Sequence, residues 1–258
     1  MPPIDGGTPA RVNILGVGVS AINLGEAVRR AEELLRERRK GYICVTGVHG
    51  IMEAQRDPSF RKILNQAFLC TPDGMPTVWI GRLRGYGGMA RVYGPDFMHE
   101  LCSHSVASGY RHFLYGGRPG VVETLRSQLE SQFPGIRIVG TYAPPFRPLT
   151  KAEEKELIAN VAELQPDICW VGLSTPKQER FMTRMIERLD VRLMVGVGAA
   201  FDIHAGLLRD APVWMKTCGL QWLHRLWMEP RRLGRRYLIN NPSFLWNLAL
   251  QLAGIKKF

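Results

Sequence analysis

Residues 168–197 read ICWVGLSTPKQERFMTRMIERLDVRLMVGV, and this stretch sets the fold class. Its beginning, 168–173, is rich in β-branched and apolar residues and predicts a buried strand, while 178–189 predicts a helix. A second short apolar run, 193–197, predicts another strand. A strand, a helix and a strand within about 30 residues form a βαβ unit with parallel strands. The stretch therefore predicts an α/β protein with a parallel sheet.

The same alternation continues on the N-terminal side of this unit. We predict further strands at residues 12–17, 42–46, 111–115 and 136–142, and further helices at 21–38, 51–65, 120–132 and 151–164. A glycine-rich turn at 16–18 resembles a dinucleotide-binding turn. The strand at 42–46, however, ends without the acidic residue that would bind a ribose. We therefore predict a plain strand-to-helix turn there.

No strand pattern follows Gly206, so we predict a core at residues 1–206 and a helical appendage at 207–258. The appendage carries nine of the 34 Lys and Arg residues but only two of the 23 acidic residues. Its tryptophans, such as Trp222 and Trp227, stand beside arginines, as at a boundary between water and lipid headgroups. The alternative is a helix that packs on the core of its own chain and has a solvated charged face.

Charge and cysteine content indicate which binding partners and which cellular compartment to expect for this protein. A formal net charge of +11 favours anionic partners such as nucleotides and phosphorylated lipids, and no nucleic-acid-binding motif accompanies it. The five cysteines lack zinc-ligand spacing, so we expect reduced core residues. Neither a secretory signal nor an apolar run of about 20 residues is visible. We therefore expect a cytoplasmic protein that can touch a bilayer.

Loops at the carboxyl ends of the strands are the candidate ligand sites, because open parallel sheets bind ligands there. Gly116 and Gly117 precede a helix, where free backbone amides could bind a diphosphate, although glycine also serves turn geometry alone. Asp73 lies between Pro72 and Gly74 in a sharp turn. It is either a rigid carboxylate at a cleft or a helix cap, and the turn by itself favours the cap.

Two further loops are polar and follow apolar strands. Residues 174–179 include Lys177 and Gln178, and residues 196–202 end at Asp202. Each could bind a ligand or begin a capped helix. The sequence has no DxD pair, the usual way that a sugar transferase holds a divalent metal on a diphosphate. Arginine, backbone amides or a helix dipole would then neutralise such a diphosphate.

Six blocks of sequence between residues 71 and 238 together carry a family resemblance. They are TPDGMP at 71–76, ARVYGPDFM at 90–98, FLYGGRPG at 113–120, VGLSTPKQE at 171–179, GVGAAFD at 196–202 and WLHRLWMEPRRLGRRYL at 222–238. Together they resemble the WecG/TagA/CpsF family of glycosyltransferases. The resemblance implies a Rossmann-like α/β core and a basic C-terminal appendage that associates with membranes and completes the active site.

The resemblance also implies an activity. Members transfer a sugar from a UDP-sugar to a polyprenyl diphosphate-linked acceptor, with inversion and without a metal or other cofactor, in bacterial surface or cell-wall polysaccharide synthesis. Such an enzyme would act as a peripheral protein on the cytoplasmic face of the plasma membrane. Separately, the apolar helix predicted at 244–252 could bind either lipid or a second subunit, so a homo-oligomer is possible. The residues do not identify the donor sugar or the acceptor sugar.

Individual residues receive roles from the same resemblance. Asp73 corresponds to the catalytic base, and Thr46, Arg91 and Gln178 are further active-site residues. The resemblance also implies substrate-binding roles for Tyr142 as the uracil platform, Asp202 as a nucleotide ligand, Arg225, Arg231 and Arg232. From the loops themselves we add Gly116, Gly117, Lys177 and His49 as predicted substrate-binding residues.

One position departs from the family pattern. Many members have a TxN motif where this chain reads Thr46-Gly47-Val48-His49. Because Val48 cannot form a side-chain hydrogen bond, we predict that His49 takes over the positioning role of the amide. A different acceptor sugar, or His49 as a second acid or base, are the alternatives.

Two other functions remain open at this level. The chain could be another nucleotide-dependent α/β enzyme, such as a dehydrogenase or an epimerase. It could also be a non-catalytic nucleotide-binding protein at a membrane surface, in which Asp73 is merely a helix cap.

Overall fold

The computed structural model describes residues 9–258, so the first eight residues, where we looked for a secretory signal, lie outside it. The strands are β1 (Arg11–Ile14), β2 (Val17–Ser20), β3 (Gly41–Thr46), β4 (Leu69–Pro72), β5 (Arg111–Gly116), β6 (Arg137–Tyr142), β7 (Ile168–Gly172) and β8 (Leu193–Gly196). The helices are α1 (Leu24–Arg36), α2 (Val48–Arg56), α3 (Pro58–Gln66), α4 (Met75–Leu83), α5 (Gly94–Ser108), α6 (Val121–Gln132), α7 (Lys151–Leu164), α8 (Lys177–Met185), α9 (Ala200–His204), α10 (Val213–Thr217), α11 (Gln221–Met228) and α12 (Pro230–Leu252).

Six strands form one parallel sheet in the order β4-β3-β8-β7-β5-β6. The predicted α/β class with a parallel sheet is confirmed. The order of the strands differs from the 3-2-1-4-5-6 order of dinucleotide-binding folds. The βαβ unit of residues 168–197 is present as β7, α8 and β8, and β7 pairs directly with β8.

The prediction that residues 12–17 form one strand of the parallel sheet is wrong. These residues belong to an antiparallel hairpin, β1 and β2, which lies outside the parallel sheet. Leu15 and Gly16, at the tip of the hairpin, have positive φ angles of 50° and 79°. Positive φ at both central residues is the mark of a tight two-residue hairpin turn. The glycine therefore serves the turn, and no helix follows it directly.

Three other elements differ from the sequence-based expectation. The helix predicted at 51–65 is two helices, because Pro58 cannot continue α2, and Asp57 caps α3 by accepting from the amides of Ser59 and Phe60 at 2.8 and 3.2 Å. Strand β4 and helix α5 were not predicted. Strand β4 has only four residues, and α5 is rich in poor helix formers, so its buried apolar side chains hold it.

Helices cover both faces of the sheet. Side chains of α2, α3, α7 and α8 join one hydrophobic core, and those of α1, α5, α6 and α9 join the other. Strands β3 and β8 are neighbours, yet α2 follows β3 on one face and α9 follows β8 on the other. The loops at their carboxyl ends therefore diverge and leave a crevice, the usual position of a ligand site in such sheets.

The C-terminal helices pack partly on the core of their own chain and also carry exposed apolar side chains. Phe244 of α12 is buried in the same core as α2, so part of the segment packs on its own chain. Trp227, Leu238 and Trp246 are exposed. Within residues 9–258, no helix has the length and apolar character to cross a membrane. Of the five cysteines, four are buried thiols as expected, and Cys218 is exposed.

Candidate active site

Two adjacent cavities lie at the carboxyl edge of the sheet. The loop cavity, of about 170 Å³, lies among the loops after β4, β7 and β8 and includes Ser174, Gly198 and Asp202. The aromatic cavity, of about 360 Å³, lies between α4 and the C-terminal helices and includes Trp79 and Trp222. The residues common to both walls are Val45, Asp73, Tyr93, Thr175, Arg225 and Arg236.

Asp73 lies at the junction of the two cavities. Its backbone amide donates to the Thr46 carbonyl at 3.1 Å, and its own carbonyl accepts from Arg91 Nε at 2.6 Å. Helix α4 begins after Gly74 and has no side-chain cap, so the interpretation of Asp73 as a helix cap is wrong. The Oδ1 atom is enclosed and has no hydrogen-bond partner within residues 9–258.

The surroundings of Asp73 tune its acidity. Burial raises the pKa of Asp73 above its ordinary value, and the positive charges of Arg91 and Arg225 oppose the rise. A carboxylate with a raised pKa binds a proton more strongly than an ordinary aspartate does. Asp73 is therefore suited to accept a proton at a fixed position.

Arg91 connects this turn to the C-terminal helices. Its guanidinium lies 4.1 Å from the centre of the Tyr93 ring and donates to the Gln221 side chain. Gln221 and the Tyr93 hydroxyl both donate to Asp210 Oδ1, at 3.1 and 3.0 Å. Arg91 thus fixes the backbone of Asp73 and holds the start of α11 against the core.

Three arginines of the C-terminal helices reach the cavities. Arg225 and Arg236 line both, and Arg232 lines the loop cavity. Arg225 and Arg232 pair with Glu229, whereas Arg236 has no acidic partner within 4.0 Å among the described residues. Burial lowers the pKa of Arg236 to about 10, so it remains a cation at neutral pH. A largely enclosed guanidinium without a carboxylate is suited to bind an anionic ligand.

This arrangement differs from the expected arginine set. Arg231 is exposed and lies in neither cavity wall, whereas Arg236, which the resemblance did not assign, lies in both. The sequence contained a signal for it, because Arg232 and Arg236 are four residues apart and share one side of α12.

Gln178 and Glu179 form a buried polar pair beside the loop cavity. Glu179 Oε1 accepts from Gln178 Nε2 at 3.1 Å and from the Thr175 hydroxyl at 2.8 Å. Burial raises the pKa of Glu179, and these hydrogen bonds oppose the rise. The Gln178 Oε1 atom is enclosed and has no partner in the described chain, so it can accept from a ligand hydroxyl. Glu179, which we did not predict, orients this amide.

His49 lies in the wall of the aromatic cavity and bonds to the C-terminal helix. Arg56 donates to Asn240 Oδ1 at 2.6 Å, so the amide nitrogen of Asn240 faces His49 Nδ1, at 3.0 Å. Nδ1 therefore accepts, and the ring proton lies on Nε2. Burial and the nearby Arg236 charge lower the pKa of His49 to about 4. A neutral ring that already carries its proton on Nε2 suits positioning better than base catalysis.

The remaining predicted residues lie at different distances from the cavities. Thr46 is buried at the end of β3, behind the Asp73 turn, and its hydroxyl donates to the Cys44 carbonyl at 3.4 Å. Asp202 lines the loop cavity. Lys177 begins α8 and lies outside both walls. Tyr142 also lies outside them, and its ring stacks on Tyr115 with a centroid distance of 5.6 Å.

The glycine turn after β5 has a structural role. A Cβ atom on Gly116 would lie 2.6 Å from the carbonyl carbon of Gly172, so only glycine permits this close approach of β5 to β7. The Gly117 amide already donates to the Gly172 carbonyl at 3.2 Å. That amide is not free for a diphosphate in this conformation, and neither glycine lines the loop cavity or the aromatic cavity.

Across residues 9–258, no three side chains of His, Cys, Asp or Glu come together as a possible metal site. The cations near Asp73 are instead guanidinium groups.

Comparison with known proteins identifies relatives along nearly the whole chain. The sequence model of the glycosyl transferase WecG/TagA/CpsF family matches residues 12–257. A Bacillus subtilis (strain 168) protein named N-acetylglucosaminyldiphosphoundecaprenol N-acetyl-beta-D-mannosaminyltransferase is 30% identical over 192 residues, which cover 74% of this chain and 72% of the relative. A protein of the same name from Staphylococcus aureus (strain MW2) is 23% identical over 250 residues, 96% of each chain.

Proposed function

Because the chain belongs to the WecG/TagA/CpsF family of glycosyl transferases, we propose that it transfers a sugar from a UDP-sugar to a polyprenyl diphosphate-linked acceptor that ends in N-acetylglucosamine. That the chain is a glycosyltransferase follows from the family. The acceptor is proposed from the relatives, whose names specify N-acetylglucosaminyldiphosphoundecaprenol. A product of this kind would serve bacterial cell-wall or surface polysaccharide synthesis.

One observation carries the proposal. Asp73 belongs to the walls of two cavities of different character, and its Oδ1 atom is enclosed without a partner in the described residues. A transferase needs its base where donor and acceptor meet. We assign the loop cavity to the donor, because loops at the carboxyl ends of parallel strands bind nucleotides. We assign the aromatic cavity to the acceptor, because apolar and aromatic walls suit a sugar linked to a lipid.

The proposed reaction has one proton transfer and one substitution. Asp73 accepts the proton of the acceptor hydroxyl while that oxygen attacks the anomeric carbon of the donor sugar. The bond between the anomeric carbon and the diphosphate oxygen breaks on the opposite side, and UDP leaves with the electron pair. Attack and departure on opposite sides invert the anomeric configuration, so a single carboxylate is sufficient.

Guanidinium groups would stabilise the leaving diphosphate. Arg225 and Arg236 line both cavities, and Arg232 adds a third cation in the loop cavity. Charge-assisted hydrogen bonds from fixed arginines stabilise the negative charge that develops on the leaving oxygen. We therefore propose a metal-independent transfer, in which Gln178 accepts from a sugar hydroxyl and orients the donor.

We also propose a location for this reaction. A polyprenyl-linked acceptor lies in a membrane, and the exposed side chains Trp227, Leu238 and Trp246 on the C-terminal helices are suited to the bilayer surface. UDP-sugars are cytoplasmic metabolites, so the enzyme would bind as a peripheral protein to the cytoplasmic face of the plasma membrane.

The experiment that tests the proposal is a transfer assay with a panel of UDP-sugars and defined polyprenyl diphosphate-linked acceptors, with products read by mass spectrometry. We expect one donor to give a product whose mass rises by one sugar without added divalent metal and in the presence of a chelator. Nuclear magnetic resonance of the new linkage should show the inverted anomer. A retained anomeric configuration would contradict the single-base mechanism. Absence of transfer from every UDP-sugar would contradict the proposal that the donor is a UDP-sugar.

Two observations argue against the alternative functions, a non-catalytic nucleotide-binding protein and a dehydrogenase. The non-catalytic interpretation required Asp73 to act as a helix cap, and α4 has no side-chain cap. The dehydrogenase interpretation depends on a dinucleotide turn, and the glycine of that turn lies at the tip of a β-hairpin.

A further inference from the structure

Helix α4 has an exposed apolar face that the proposed reaction does not use. Trp79 is 50% exposed and Leu83 is 72% exposed. The two residues are four positions apart, so their side chains lie on the same side of the helix. Tyr86, which is also exposed, continues this apolar surface into the following loop. Large apolar side chains that cluster on a surface mark a site of interaction.

The charge of this segment indicates which kind of surface it meets. Residues 74–95 contain three arginines and no acidic residue. Arg91 belongs to the active site, whereas Arg82 and Arg84 are exposed beside the apolar face. Exposed arginines that flank apolar and aromatic side chains fit a bilayer with anionic headgroups.

The apolar face of α4 is continuous with the mouth of the aromatic cavity. Trp79 lines this cavity although half of its surface is exposed. On the C-terminal helices, Trp222 and Leu245 also line the cavity and are exposed. A Cβ atom on Gly219 would lie 2.8 Å from the Trp79 ring, so α4 packs directly on the segment before α11. The mouth therefore has apolar side chains from both the core and the C-terminal helices.

We propose that α4 and residues 84–88 form a second membrane-docking element, which contacts an anionic bilayer together with the C-terminal helices and directs the mouth of the aromatic cavity toward it. In this arrangement Trp79 lies at the level of the headgroups and Leu83 reaches the acyl boundary. The inference rests on the proposed function for the occupant of the mouth, the isoprenoid end of a lipid-linked acceptor. Docking through residues 207–258 alone would leave the α4 side of the mouth in water.

The test compares Leu83→Glu with the wild-type protein in flotation with vesicles of phosphatidylglycerol and phosphatidylcholine. Leu83 lies outside both cavities and is mostly exposed, so the substitution spares the core and the active site. We expect vesicle binding to fall roughly tenfold or more, because a buried leucine side chain is lost and a negative charge faces anionic lipid. Gln128→Glu, on the exposed surface of α6, adds the same charge and should bind like the wild type.

A second variant separates the loss of the apolar side chain from the added negative charge. Leu83→Trp keeps an apolar side chain suited to the interface and should bind vesicles at least as well as the wild type. If Leu83→Glu binds vesicles as the wild type does, the inference is overturned. It is also overturned if Leu83→Glu dissociates an oligomer in analytical ultracentrifugation while vesicle binding is unchanged, because the partner of α4 is then a second copy of this chain.

Activity assays distinguish failure of this inference from failure of the proposed function. With a water-soluble, short-chain diphosphate-linked acceptor, Leu83→Glu should transfer sugar within about twofold of the wild type. With the full-length acceptor in vesicles its rate should fall together with binding. Equal rates for both proteins on the vesicle acceptor contradict the inference and leave the proposed function intact. Absence of transfer by the wild type on either acceptor contradicts the proposed function, while vesicle binding still decides the role of α4.

Discussion

The two cavities that meet at Asp73 are built in different ways. The loop cavity comes mainly from loops at the carboxyl ends of neighbouring strands, and arginines of the C-terminal helices complete its wall. The aromatic cavity is closed by the C-terminal segment, in which α12 packs on α2 and Gly219, before α11, packs on α4. The first has the backbone-rich walls typical of nucleotide sites, and the second has the rings and apolar side chains that suit an amphiphile.

This construction explains how one carboxylate can serve two unlike substrates. The residues shared by both walls include Asp73 and two arginines of the C-terminal helices, Arg225 and Arg236. The reacting groups therefore lie at the boundary, while each substrate keeps its own environment. Changes at the boundary should impair the whole reaction, and changes in one wall should impair one substrate.

The largest effect is expected at the boundary carboxylate. Asp73→Asn keeps the shape of the side chain but cannot accept the proton, so transfer should fall by about 10² or more. UDP affinity, measured by calorimetry, should stay within about twofold of the wild type. Asp96→Asn is a matched control, because Asp96 is an exposed carboxylate of α5 outside both walls. Undiminished turnover by Asp73→Asn would remove the base assignment.

The next largest effect on transfer is expected at the arginines that line both cavities. Arg236→Gln removes a largely enclosed cation without an acidic partner, and we expect kcat to fall by about tenfold to 10². Arg231→Gln removes the same charge from an exposed position outside both walls and should cost less than twofold. If Arg231→Gln impairs transfer more than Arg236→Gln does, the arginine set implied by the family resemblance is right and the geometric one is wrong.

Changes in single walls should separate the two substrates. Trp222→Ala in the aromatic cavity should raise KM for the lipid-linked acceptor by roughly tenfold and leave KM for the UDP-sugar nearly unchanged. Gln178→Ala in the loop cavity should have the opposite pattern. Initial rates with each substrate varied in turn measure both constants. Equal effects of either variant on both KM values would mean that the cavities do not divide the substrates.

The pH dependence gives the smallest but most specific effect. Asp73 must be ionised to accept a proton, so kcat should fall as pH decreases through its pKa, which burial raises above the ordinary value. Arg236 and the other guanidinium groups lower this pKa, and Arg236→Gln should therefore move the acid limb to higher pH. Profiles of kcat against pH for the wild type and for Arg236→Gln measure this shift. A limb that moves to lower pH, or stays in place, would contradict the assignment.

The sequence predicted the sheet because its strands are short apolar runs between helical patterns. The βαβ unit at 168–197 was correct for this reason. The hairpin at 11–20 was missed, because its apolar pattern resembles a strand and its turn depends on two positive φ angles. Helix α5 was missed because packing of Phe97 and Leu101 holds it despite weak local propensity.

The site was predictable only as far as its blocks resemble a family. That resemblance selected Asp73, Arg91 and Gln178, which the structure brings to the cavities or to the Asp73 turn. It could not identify Arg236, because packing of α12 through Phe244 and Asn240 determines which arginines face inward. The Gly116-Gly117 turn resembled an anion site, but only the structure reveals that the Gly172 backbone of β7 approaches Gly116 too closely for any other residue.

A crystal structure of the UDP complex would show whether the two cavities divide the substrates as proposed. We expect the diphosphate in the loop cavity, in hydrogen-bond contact with Arg225 and Arg236, and the aromatic cavity free of nucleotide. UDP bound in the aromatic cavity, or a diphosphate held by the Gly116-Gly117 turn away from both arginines, would contradict the account.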